Sequence, residues 1–292
     1  MRRHPKGINR QSLAERVRAY LRQPLSLLLL LLVAAAAVVT VGALFFILVH
    51  ILVKGIPYLT PDLFALHYTS ENVSMFPAII TTLEMTALSL LIAAPLGIFS
   101  AVYLVEYARR GNKLVNIIRM TAETLSGIPS IVYGLFGMLF FVTALRWSFS
   151  LLAGACTLAI MILPLIMRTT EEALRSVPDM YREASFGLGA GRLRTVFRIV
   201  LPAAVPGILA GIILAIGRIV GETAALIYTA GTVAKIPDGL FSSGRTLALH
   251  MYVLSTEGLH TDQAYATAVV LLVTVLLINA LSAVVARRLT KA

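Results

Sequence analysis

Residues 25–53 read LSLLLLLLVAAAAVVTVGALFFILVHILV, an apolar run without a single Asp, Glu, Lys or Arg. A bilayer core needs about 20 apolar residues in helical form. This run is long enough to cross and too long for a signal-peptide core, although Ala34–Ala37 has the small-residue look of a cleavage region. It therefore predicts a retained first transmembrane helix. The rest of the chain repeats the pattern. Only 13% of its 292 residues are charged, against about 25% in a soluble domain, and 58% are hydrophobic.

Six spans follow, at about 25–53, 76–105, 114–145, 149–170, 199–231 and 263–286, which makes an all-α membrane protein. Lysine and arginine set the direction. Lys54, Arg146, Lys235 and Arg245 fall in segments read as outer, and Arg218 falls inside a span. The other 20 of the 25 lie in the segments read as inner or, for Arg119 and Arg168, within the inner ends of the adjoining spans. By the positive-inside rule both termini are cytoplasmic. Residues 1–24 form a basic arm in which Leu13, Val17 and Leu21 recur every four residues, a pattern for a helix lying on the inner membrane surface and touching lipid. Residues 25–292 read as one transmembrane domain.

The formal charge of +11 follows from this membrane orientation, and no basic patch with interleaved aromatics points to nucleic acid. Cys156 is the sole cysteine, so no internal disulfide can form. The five histidines lack paired spacing, and no metal site is expected. Two segments read as outer, 54–75 and 232–262, are long enough to fold. Thr60-Pro61-Asp62 has the form of a helix start in the first.

The segment 171–202 is long for a linker. Ser176 is a candidate N-cap with Asp179 three residues on, and Pro178 suits a first helical turn. Gly187, Gly189 and Gly191 allow a sharp bend. Met180, Tyr181 and Phe186 stand among charges, which suggests a docking surface. The run Glu183-Ala184-Ser185, then Gly189, then Ile199-Val200-Leu201-Pro202 resembles the EAA loop of ABC importer permeases. It departs from that pattern once, with Ser185 in place of the second alanine. The resemblance implies the MetI-like permease bundle in a bacterial inner membrane. It also implies docking of this loop on an ATP-binding subunit.

No G-x-x-x-x-G-K-S/T run is present, so the chain lacks a P-loop. It is not expected to be an enzyme, to bind a cofactor or to do covalent chemistry. ATP and magnesium would belong to the partner ATPase. A membrane enzyme would need a nucleophile with its base or a metal cluster at depth. A secondary transporter would usually show inverted repeats. Neither is legible.

Arg218 and Glu222 lie four apart, so on a continuous helix they can meet. Two readings stand open: an internal ion pair that stabilises the bundle, or an arginine facing an anion path and steadied by Glu222, with Thr223 beside it. The run Arg218-Ile-Val-Gly-Glu-Thr-Ala224 is similar to one in phosphate-importer permeases. So are Gly127–Gly137, with Ile-Pro-Ser-Ile-Val-Tyr-Gly-Leu-Phe between, and Gly97–Tyr107. The resemblance covers residues 76–286 and implies that Arg218, Glu222 and Thr223 serve phosphate passage. It further implies a companion permease, two ATP-binding subunits and an extracytoplasmic phosphate-binding protein. Permeases for sulfate, molybdate or an amino acid share the EAA pattern and remain the alternative.

Other polar residues are weaker candidates. Arg119 and Glu123 are spaced to pair, Glu84 lies among threonines, and Ser126 and Ser130 flank Pro129. The break at Pro129 reads equally as a cavity lining or a plain kink. The pairs Gly207/Gly211 and Gly217/Gly221 suit close helix packing, for instance against the companion permease.

Overall fold

The computed structural model describes residues 24–109 and 111–291, with side chains except at residues 24, 285 and 287–291. The basic arm up to Gln23, with its expected surface helix, lies outside the described residues. The described regular structure is helical throughout.

The chain divides into two units, one ending at Val53 and one beginning at Lys54. The first contains most of helix α1 (Pro24–Gly55), which opens on a proline where the missing N–H costs nothing. The second contains the remaining helices. These are α2 (Phe76–Val102), α3 (Lys113–Ser126), α4 (Ser130–Gly137) and α5 (Leu151–Ser176), then α6 (Asp179–Gly187) and α7 (Arg192–Thr195). They continue with α8 (Leu201–Val220), α9 (Ala224–Ile227), α10 (Leu247–Glu257) and α11 (Thr261–Lys291). Single π-helical stretches extend α2 to Tyr107 and α4 to Ala144, and another joins α7 to α8.

Five helices are long and apolar enough to span a membrane, and a sixth span exists if the bent pair α3 and α4 counts as one. That pair is the span expected over 114–145, broken at Pro129 as the proline implied. Its two halves meet at 102° across Gly127–Pro129. Pro129 has no N–H and is extended, so the helix cannot run through it. The expected turn at Thr60-Pro61 forms as a short 3₁₀ helix, Pro61–Phe64.

Helix α5 is the centre of the second unit, with Ala155, Leu158 and Ile162 fully buried between α2 and α8. In lipid, burying such residues gains little from the hydrophobic effect, so close packing must hold the helices together. Glycine allows it. A Cβ at Gly97 would come 2.9 Å from the Ile166 side chain, and one at Gly207 would come 2.6 Å from that of Ala173. Gly211 lies equally tightly against Thr169. Gly207 and Gly211 thus serve close contact inside this chain. A Cβ at Gly217 would meet open space. Gly211→Leu is expected to unseat α8 at a cost of about 1–3 kcal/mol, read as a lower unfolding temperature in detergent.

Candidate functional site

Two regions hold the residues singled out by sequence. The first is the turn between α5 and α8. Helix α5 runs through Ser176, whose hydroxyl donates to the Ala173 carbonyl at 2.8 Å. Ser176 is therefore the end of one helix and not the cap of the next. Pro178, extended at φ −57° and ψ 138°, takes the N-cap position of α6, and Asp179 opens its first turn. Gly189, at φ +80°, makes the bend, a backbone region costly for other residues.

Arg182 is the anchor of this turn. Its guanidinium meets Glu106 with Nη2–Oε1 at 2.6 Å and Nε–Oε1 at 3.2 Å. It also donates to the carbonyls of Val177 at 2.8 Å and Leu174 at 3.0 Å, and to Asp179 at 3.2 Å. One side chain thereby ties α6 to the end of α2 and closes two carbonyls at the end of α5. Glu106 holds the Arg182 guanidinium above its ordinary pKa, through its hydrogen bond first. Neither residue was singled out from sequence. They are far apart in the chain, and no periodicity links them.

Ser185, the departure from the EAA pattern, is buried, with Oγ 2.8 Å from Thr195 Oγ1. Alanine could not make this contact, which clamps α6 to α7. Glu183 and Ala184 are exposed, as are Met180, Tyr181, Phe186 and Leu188, the last at 90%. Ile199, Leu201 and Pro202 lead into α8, with Val200 between them fully buried.

The second region is the end of α8. The helix stops at Val220, and Glu222 lies beyond it. Its carboxylate, 8% exposed, accepts the Ala225 N–H at 3.1 Å and so caps α9. The expected meeting of Arg218 and Glu222 does not occur, because the helix ends between them. Among the described residues Arg218 has no carboxylate within ion-pair distance. It lines a hollow of about 560 Å³ that is apolar apart from itself and Asn279. Thr223 sits at the N-cap of α9, and its carbonyl accepts from Leu226 and Ile227.

The fold brings two of the quoted runs together here. A Cβ on Gly134 of α4 would come 2.8 Å from Ala225 Cα, and one on Gly137 would strike Thr157 and Thr229. Side chains at these two glycines would separate α4 from the segment after α8.

The weaker candidates distribute differently. Arg119 pairs with Glu171 at 3.0 Å, not with Glu123, and Arg175 reaches the same oxygen at 3.1 Å. Glu123 is exposed and shares a hollow of about 220 Å³ with Ser126 and this triad. Ser126 bonds back to Ala122, and Ser130 opens α4. Glu84 keeps one buried carboxylate oxygen without a hydrogen-bond partner.

At the end of α2 far from α6, Arg245 is 5% exposed and stands 4.7 Å from the Tyr68 ring centroid. His250, fully buried, faces the same ring edge-on. Burial and then the Arg245 charge lower the imidazole pKa to about 3. The unfolded segment would take up a proton near the ordinary 6.5, so it binds more protons than the folded one in between. Stability is complete above about pH 6.5 and falls by a few kcal/mol as pH drops toward 3. Thermal unfolding in detergent across this window is expected to show the loss, and His250→Leu is expected to flatten it.

Residues 93–291 match the model of the binding-protein-dependent transport system inner membrane component, and the chain belongs to that family. It is a membrane transport permease, and its curated relatives narrow the class. It is 39% identical over 208 residues to a probable ABC transporter permease protein, YqgI, of Bacillus subtilis, covering 66% of this chain and 70% of that one. It is 36% identical over 247 residues to the phosphate transport system permease protein PstA of Pasteurella multocida, covering 80% and 84%. PstA 1 of Mycobacterium tuberculosis is also 36% identical, with 72% and 70% covered. Among solved structures, a bacterial alginate ABC transporter superposes with a TM-score of 0.69 at 19% identity, over 94% of this chain and 99% of that one. The MetNI methionine ABC transporter gives 0.59 at 23%, over 74% and 94%. These two share the fold.

Proposed function

We propose that this chain is the PstA-type permease half of an ATP-driven phosphate importer. The observation that carries the reading is an arginine in a span, Arg218, bordering a hollow and met by no carboxylate among the described residues. A guanidinium keeps its charge at any working pH and offers a fork that matches a tetrahedral oxyanion. A charge at this depth is costly unless water or a counter-anion meets it. Phosphate passing along the bundle would be that anion. The PstA relatives support phosphate over other solutes.

In this reading a PstC-type companion completes the path, and a PstS-type binding protein delivers the anion. Two PstB-type subunits hydrolyse ATP with magnesium, and this chain binds neither. One of them takes up the exposed face of α6, around Tyr181, Glu183 and Ala184, on the cytoplasmic side. Ser185 and Gly189 shape the turn, and Ile199, Leu201 and Pro202 carry its motion into α8. Glu222 and Thr223 fix the break beside the path. Nucleotide binding in the partner would then shift the bundle between inward-open and outward-open populations.

ATP-dependent uptake by the reconstituted complex, with phosphate compared against sulfate and an amino acid, tests this. Phosphate uptake that disappears in Arg218→Gln is expected. Uptake of another solute alone would replace phosphate and leave the ABC permease.

A further inference from the structure

A second charged hollow lies beside the α6–α7 turn, separate from Arg218. It measures about 580 Å³ and draws arginines from five places in the chain: Arg109 after α2, Arg119 of α3, Arg175 of α5, Arg182 of α6 and Arg192 of α7. Like charges repel one another, and water screens the exposed ones only in part where they share one hollow. The carboxylates at hand are Glu106 and Asp179 in the wall, and Glu171, which Arg119 and Arg175 share. Glu106 and Asp179 are both taken by Arg182. Among the described residues, Arg109 and Arg192 have no carboxylate within ion-pair distance.

Two details point to a ligand. The Arg192 guanidinium is held 5.4 Å from the centroid of the Tyr107 ring, which steadies a long side chain at the rim. The Tyr107 hydroxyl, on another wall residue, is buried and lacks a hydrogen-bond partner. A buried hydroxyl left unmatched is costly, and a turn of the Tyr107 ring toward the hollow would give it an acceptor there.

We propose that this hollow binds a phosphate-bearing anion, held by Arg109 and Arg192 with the Tyr107 hydroxyl as a further donor. Guanidinium forks suit phosphate oxygens, and a basic pocket at the end of a helix bundle is suited to a lipid headgroup as well as to a free ion. The bound anion links α7 to the end of α2, next to the Arg182–Glu106 bond. Its occupancy therefore stiffens the turn that the proposed function couples to ATP hydrolysis. Binding itself does not depend on which solute crosses the membrane.

The test uses the full chain in phosphatidylcholine nanodiscs, titrated with inorganic phosphate, and in nanodiscs doped with phosphatidylglycerol, with retained lipid read by native mass spectrometry. Arg109 and Arg192 are both exposed, so the double variant Arg109→Gln/Arg192→Gln should fold. Loss of these contacts is expected to weaken binding about tenfold per arginine and severalfold for Tyr107→Phe. The same titrations are repeated in the Arg218→Gln background, where the proposed path no longer contributes, and the loss in the double variant should persist there. Phosphate affinity that falls in the double variant identifies a free-ion site. Phosphatidylglycerol retention that falls there instead identifies a headgroup site. The proposal is overturned if neither probe distinguishes wild type from the double variant. It is equally overturned if the binding is lost in Arg218→Gln and kept in the double variant.

Discussion

Arg182→Met is expected to destabilise the chain by about 3–5 kcal/mol, the usual effect of removing one partner from a buried ion pair. Glu106, whose side chain is 8% exposed, would keep its charge with its main partner gone. The carbonyls of Leu174 and Val177 would lose their donor in the same step. The loss should concentrate at the α6 turn, so trypsin should cut near Arg192 and Arg194 at lower concentration than in wild type. Arg182→Met/Glu106→Leu should regain much of the stability, because an apolar pair leaves no stranded charge. An unchanged unfolding temperature in the single variant would show that Arg182 does not anchor the turn.

Arg218→Gln is expected to behave in the opposite way. Arg218 has no carboxylate to strand, so folding should change by less than about 1 kcal/mol. Transport should fall about 100-fold or more, as charge-assisted hydrogen bonds to a passing anion are lost. Arg218→Lys would keep the charge but not the fork, and should recover only part of the rate. Uptake assays paired with thermal unfolding in detergent separate the two residues. A variant that folds and transports normally would remove Arg218 from the path. Stability without transport is the signature of a pathway residue, whereas Arg182 should lose stability first.

The contrast explains why one arginine was legible and the other was not. Arg218 stands out because a charge within an apolar run is conspicuous. Arg182 sits among charges in a polar segment, where arginines are commonplace. Its importance depends on Glu106, brought alongside only when the end of α2 meets α6. The same limit misdirected the local pairings. Spacing of four favoured Arg119 with Glu123 and Arg218 with Glu222. In the fold, Glu171 from a neighbouring helix outcompetes Glu123, and α8 ends before reaching Glu222.

Glycine roles divided in a similar way. A small residue every fourth position says that something packs closely, but not what. Gly207 and Gly211 meet α5 of their own chain. Gly134 meets the segment just beyond Arg218 and so joins two runs about 90 residues apart.

What the sequence determined alone was the solvent and the broad architecture. Apolar runs near 20 residues leave the backbone no choice but helices in lipid, and that requirement is local. The exposed aromatic turn and its EAA-like spacing were likewise local, set by proline, glycine and the order of charges. Tertiary structure decided which carboxylate each arginine meets and how far the third span bends at its proline, 102°. It also decided which arginines surround one hollow beside the turn. Those outcomes depend on side chains from separate helices competing for the same few ångströms, and no one-dimensional pattern records that competition.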